Sequence, residues 1–210
     1  MTNSIIAING NHLVKLESVF ESFNYIDNNN DKHFDSWEKT ATYLFDNYSQ
    51  FSNKGIAIRG IWFNNGWTII CDPELVDSTD DRAIEILSQK LNTEVLTFLI
   101  QTTSGSFGFA KYNTTKQRRF FAIEGQITEN FGAPLLEELG LNINDKVFGD
   151  DILLLAIKLG IDLEVKNTKT TFIIKELGYN EELKKQLEQF AQKSSEKKAN
   201  NQKPWWKFWQ

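Results

Sequence analysis

Residues 27–38 read Asp-Asn-Asn-Asn-Asp-Lys-His-Phe-Asp-Ser-Trp-Glu and place oxygen donors at alternate positions. Set against an EF-hand calcium loop, Asp27, Asn29 and Asp31 fall at positions 1, 3 and 5. The His33 carbonyl falls at 7, Asp35 at 9, and Glu38 at 12, where a bidentate carboxylate closes the shell. A hard cation that takes about seven oxygens needs this alternation, because every second residue of the loop turns inward. Phe34 supplies the apolar position 8, and helix-like patterns lie on both sides. Lys32 stands where the loop calls for glycine, which costs about 1 kcal/mol of backbone strain and brings a cation toward the metal. No second loop pairs with this one. A polar connection with Asp35 or Ser36 capping the next helix accounts for the same residues and is the preferred reading, so no cofactor is expected and calcium is the alternative.

The second constellation closes the chain. Lys203, Trp205, Trp206, Lys207, Phe208 and Trp209 lie at the end of and just beyond a polar run, Ser-Ser-Glu-Lys-Lys-Ala-Asn-Asn-Gln-Lys, which has the composition of a linker and closes on Lys203. Large aromatic groups on a polar tether mark a contact. They could fold back on the body, anchor in a partner's groove, lie in a lipid headgroup layer, or stack on single-stranded bases.

Other chemistry fails on inventory. His12 and His33 have no serine elbow or reactive cysteine beside them, so hydrolysis through a nucleophile is not expected. Cys71 is the single cysteine, which excludes an intrachain disulfide and any multi-cysteine metal site and suits a reducing compartment. Asp80 with Asp81, and Asp150 with Asp151, read as helix caps and first turns. Glu129, Glu137 and Glu138 lie near Arg118 and Arg119 in sequence, and a cleft joining them would argue for carboxylate catalysis. The glycines of SGSFGF, residues 104–109, open a strand and not a helix, so they form no phosphate cradle and mark a bulge or close packing.

These residues must be carried by a globular scaffold. The chain has 210 residues, 40% hydrophobic and 24% charged, with 16 Phe and 6 Trp against 3 Pro, which implies a dense core. The start lacks a signal peptide's basic region, and the longest apolar run, Ile152–Ile157, is far short of the about 20 residues a bilayer span needs. A cytoplasmic protein is expected. Residues 191–210 carry five Lys and one Glu, or +4, so with a net charge of −5 the remainder carries −9. An acidic body argues against nucleic acid.

Apolar spacing predicts helices over 11–25, from Ser36 to about Asn53, from Asp80 or Asp81 to Leu91, from an Asp150 cap to Leu159 with Gly160 ending it, and from Asn180, burying Leu183, Leu187 and Phe190. GIAIRGIWF and WTIIC flank an Asn-Gly pair, the preferred hairpin turn, and the proline of Asp-Pro-Glu stops the second strand. EVLTFLIQ, SFGFAKY and RRFFAIE give three more strands, and TFIIKEL a short β-like run. Residues 125–149 read as irregular chain packed on the body.

The segments GWTIICDPE, TSGSFGFAKY and RRFFAIEGQITENFGAPLLEE, within Gly66–Glu138, resemble an uncharacterised family of bacterial proteins. The resemblance implies a bacterial setting and assigns no residue a role. The expected fold is α+β: a largely antiparallel sheet of about five strands between Gly55 and Glu124, flanked by helices. One domain should run over 1–192, followed by a flexible tail over 193–210. The expected function is a non-catalytic binding protein, an immunity-type or regulatory partner of another protein, with the tail as accessory contact. The alternative is an accessory protein that meets a membrane surface through the tail or binds calcium weakly.

Overall fold

The computed structural model describes residues 2–141, 147–165 and 169–189. In chain order the elements are β1 (Thr2–Asn9), α1 (Leu16–Glu21), β2 (Tyr25–Asp27), β3 (Lys32–Phe34), α2 (Trp37–Ser52), β4 (Ile56–Asn64), β5 (Trp67–Cys71), α3 (Asp81–Leu91), β6 (Glu94–Gln101), β7 (Ser106–Asn113), β8 (Thr115–Ile123), β9 (Gln126–Phe131), α4 (Gly149–Lys158) and β10 (Phe172–Tyr179). A fifth helix, α5, begins at 181 and is described to 189. The fold is α+β, as expected, but the antiparallel sheet has ten strands and not five.

Strand order is β2-β10-β4-β5-β1-β6-β7-β8-β9, with β3 in line with β2 against the same edge of β10. Four of the nine pairings are hairpins, β4–β5, β6–β7, β7–β8 and β8–β9, because short turns join antiparallel strands cheaply. Asn65 (φ 49°) and Gly66 (φ 84°) make the turn of the predicted β4–β5 hairpin, both in the left-handed region that the Asn-Gly pair tolerates. β5 ends at Cys71, where the proline of Asp-Pro-Glu was expected to stop it. Two long returns break the hairpin pattern. β1 inserts between β5 and β6, and β10 inserts between β4 and the β2/β3 edge.

Both faces of the sheet are covered, which is why its central strands carry apolar residues at successive positions. Ile5 and Ala7 of β1 face a core shared with α2 and α4; Ile6 and Ile8 face a second core under α1 and α3. Trp62 lies fully buried in the first, between Trp37 and Phe172 at ring separations of 5.1 and 5.6 Å. α2 starts after Ser36, whose hydroxyl accepts from the Lys39 amide, and α3 after Asp80, whose carboxylate accepts from the Ala83 amide.

Several boundaries differ from expectation. The helix predicted over 11–25 is cut to α1, because Tyr25–Asp27 is drawn into the sheet by Leu177–Tyr179. α4 starts two residues early, at Gly149, with Phe148 as its N-cap. Asp150 is not its cap; Asp151 reaches back to the Phe148 amide at 2.9 Å. Gly160, at φ 81°, ends it as expected. Residues 125–149 are not wholly irregular, since they contain β9 and a 3₁₀ turn at Leu136–Glu138. On α5, Leu183 packs on the second core, but Leu187 is 46% exposed. Phe190, residues 142–146 and the tail over 193–210, including Lys203–Trp209, lie outside the described residues.

Candidate functional site

The loop 27–38 does not sit between two helices. β2 precedes its turn and β3 lies within it, so residues 28–31 form a bulge on the sheet edge over Lys175 and Glu176 of β10. The Lys175 ammonium stands between two of the six proposed ligands, 2.6 Å from Asp27 Oδ2 and 2.9 Å from Asp31 Oδ2. Partial burial alone would lower the lysine's pKa, but the hydrogen bonds from both carboxylates outweigh it and hold it above the ordinary value. The other four ligands are not gathered. The Asn29 amide donates back to Asp27 in a local turn, the His33 backbone lies in the β3–β10 ladder opposite Ile173, Asp35 pairs with Lys39 one turn into α2, and Glu38 lies in the first turn of α2. Lys39 also holds the exposed Asp35 carboxyl below its usual range. Among the described residues no three His, Cys, Asp or Glu side chains form a group that could hold a metal ion.

A cluster that sequence reading missed lies on the same face of the sheet, on the adjacent strand β4, where Arg59 stands opposite Lys175. Arg59 of β4 is fully buried, and its guanidinium meets three carboxylates: Asp77 at 2.6 Å, Glu74 at 2.8 Å and Asp72 at 3.3 Å. The Tyr25 hydroxyl accepts from Arg59 at 2.9 Å and donates to Asp77 at 2.8 Å. Asp72 also accepts from the amides of Glu74, Val76 and Asp77, so it organises the turn after β5. Burial pushes its carboxyl up to about 6; Arg59 opposes this and Asp77 adds to it. Burial likewise raises the Cys71 thiol, so this cysteine is not an activated nucleophile. DPELVD reads in sequence only as a strand stop, while Arg59 and Tyr25 are brought in by pairing. A buried arginine in an otherwise apolar strand was the available signal.

The acid and base groups of 118–138 separate onto the two faces of β8. Arg118, 2% exposed, forms a bidentate pair with Glu138 at 2.8 Å and 2.8 Å and stacks near Phe109 and Phe120. Arg119 turns the other way, to Glu129 and Asp81 at 2.6 Å each. Asp81 also accepts from Tyr112 and Lys116. Partial burial pushes its carboxyl up, but the bonds from Lys116 and Tyr112 outweigh that and hold it below the usual range. No cleft joins the two sets among the described residues; the Glu129 and Glu138 carboxylates are spent on neighbouring cations, and Glu137 joins neither set, only its backbone carbonyl accepting from Lys158. These pairs are struts that pin α3 and the 132–141 segment to the sheet.

One exposed side of α4 is apolar. α4 buries Ile152, Leu155 and Ala156 against β6 and β7, yet its outer side shows Leu154 and Ile157, 46% and 60% exposed. Leu136 and Leu139 of the adjoining turn are 81% and 70% exposed, and Phe148 is 55% exposed. The Lys158 ammonium ties that turn to the end of α4 by donating to the carbonyls of Glu137 and Leu139. Asp162 lies in a shallow hollow beside Ile157. A helix with leucine or isoleucine on both sides signals a second covering, and this pattern was present in DILLLAIKL.

No helix among the described residues is long and apolar enough to cross a membrane. Comparison with protein-family models, with curated proteins and with solved structures finds no match to this chain. Any functional reading therefore rests on the residues themselves.

Proposed function

We propose that the chain is a non-catalytic bacterial binding protein, an immunity-type or regulatory partner of another protein, and that the α4 face receives that partner. The observation that carries the reading is the exposure of large apolar residues along α4 and at its end: Leu154 and Ile157 on its outer side, and Leu136 and Leu139 on the turn that Lys158 ties to it. A body that carries −9 outside residues 191–210 fits a partner with an apolar anchor surrounded by basic residues. The resemblance of Gly66–Glu138 to a bacterial family supports the setting. The aromatic tip adds an accessory contact.

A photo-crosslinking residue at Ile157 in the full chain, expressed in its host, should capture one predominant protein that the same residue at Lys54 does not. Binding of that purified protein, followed by calorimetry, should weaken by at least tenfold for Leu154→Asp with Ile157→Asp. Truncation after Gln202 should weaken it less. Unchanged affinity in the double variant would remove the α4 face from the reading.

A further inference from the structure

We infer that a pocket between α1, α3 and α5 binds a free aliphatic α-amino acid. The pocket encloses 210 Å³ and joins three segments remote in sequence: the end of α1, the first turns of α3 and the start of α5. It lies on the side of the sheet that carries the second core, whereas α4 packs on the first, so the inference is independent of the reading of the α4 face.

The walls are fixed by the fold. Leu183 of α5 packs on the second core beside residues of α1 and α3. Asn180 donates to the backbone and side-chain oxygens of Asn24, at 3.1 and 3.3 Å, which fastens α5 to the end of α1. Asp80 is held in place as the cap of α3 by the Ala83 amide at 3.0 Å.

Both signs of charge line this space without meeting. Arg82 forms no ion pair and no hydrogen bond among the described residues, whereas Arg59, Arg118 and Arg119 each reach a carboxylate within 2.8 Å. Asp80 and Glu182 likewise meet no Lys or Arg among the described residues, and the third carboxylate of the wall, Glu21, is already tied to Lys90. A ligand that fills the gap must bring an anion to Arg82 and a cation to Asp80 and Glu182. A simple amine would leave Arg82 unanswered, and a simple carboxylate would face two like charges. Arg82 stands in the first turn of α3, where the helix dipole adds to the pull on an anion, and its planar fork suits a carboxylate. One turn further, Ile86 is 42% exposed and supplies an apolar wall. An α-amino acid carries the three matching groups on one carbon: carboxylate, ammonium and side chain. The volume of 210 Å³ is below the roughly 300–1,000 Å³ of pockets for drug-sized ligands, which favours a single amino acid over a peptide.

The test titrates the ¹⁵N-labelled full chain with L-leucine and follows the amide signals. Those of Ala83, Ile86 and Glu182 should move and saturate, while that of Ile157 on α4 stays still. L-Leucinamide, which lacks the carboxylate, and N-acetyl-L-leucine, which lacks the ammonium, should each bind at least tenfold more weakly. Arg82→Gln should weaken leucine binding at least tenfold and Glu182→Gln should weaken it as well. Both side chains are exposed, so the remaining signals should keep their positions and report an intact fold. Any of four results overturns the inference: no saturable shifts with leucine, equal affinity for either capped form, unchanged affinity in Arg82→Gln, or shifts at Ile157 with none at Ile86.

Discussion

Asp72 shows how one residue can be both structural and costly. Three carboxylates crowd one buried guanidinium, so the cluster carries more negative than positive charge, and burial keeps the Asp72 proton on up to about 6. The folded protein thus holds this proton more tightly than the unfolded chain does. The group stabilises the fold fully below about pH 4, and that contribution is lost as pH rises through about 6. The displacement from 3.8 to about 6 corresponds to about 3 kcal/mol. Asp72→Asn removes the titration and leaves Arg59 paired with Asp77 and Glu74. Relative to the parent, the variant should gain about 3 kcal/mol between pH 4 and pH 7 in urea unfolding. A difference that stays flat over that interval would show that Asp72 does not titrate there. Asp81, held below its usual range, acts in the other direction: its contribution is lost only as pH falls below the ordinary carboxylate range.

At the scale of elements, local chemistry was readable and remote pairing was not. The Asn65-Gly66 turn, the Ser36 and Asp80 caps and the Gly160 stop each depend on a few adjacent residues, and all stand where the sequence placed them. β1 was hidden because it is buried on both faces, so Ile5–Ile8 shows no alternation. β9 was hidden for the opposite reason, being an edge strand with mostly exposed residues. β2 and β3 are three residues long and exist only because β10, about 140 residues later, supplies their hydrogen bonds. The calcium-loop pattern had the same blind spot: Lys175, which sits between Asp27 and Asp31, is remote in sequence. The glycines of SGSFGF were read as a bulge or close packing. Gly105 takes φ 61° in the turn, while a Cβ on Gly108 would lie 2.4 Å from the Phe121 ring and 2.7 Å from the Phe120 carbonyl. Gly108→Ala should therefore separate β7 from β8 and cost about 1–3 kcal/mol in urea unfolding. No loss of stability would mean the Phe121 ring simply moves aside.

At the scale of the whole molecule, the two ends of the chain close one sheet, and this sets where the protein tolerates truncation. β10 is the only described link between the β2/β3 edge and β4, pairing with β4 from Ile173 to Gly178 and with β2 and β3 on its other side. It also contributes Phe172 and Ile174 to one core and Leu177 to the other, all fully buried. A chain ending at residue 170 would leave Trp62 without Phe172, Lys175's partners Asp27 and Asp31 without their cation, and the outer edge of β4 unpaired. Burying three large apolar side chains contributes about 5–9 kcal/mol, comparable to the whole stability of a typical domain. That chain should show no cooperative transition by far-ultraviolet circular dichroism. A chain ending at Gln192 keeps every described strand and should unfold in one transition, with tryptophan fluorescence and circular dichroism coincident, because each central strand serves both cores at once. Cooperative unfolding of the shorter chain would show that β1 and the β4–β9 strands form a self-sufficient unit, with β10 and the strands it holds as an appendage.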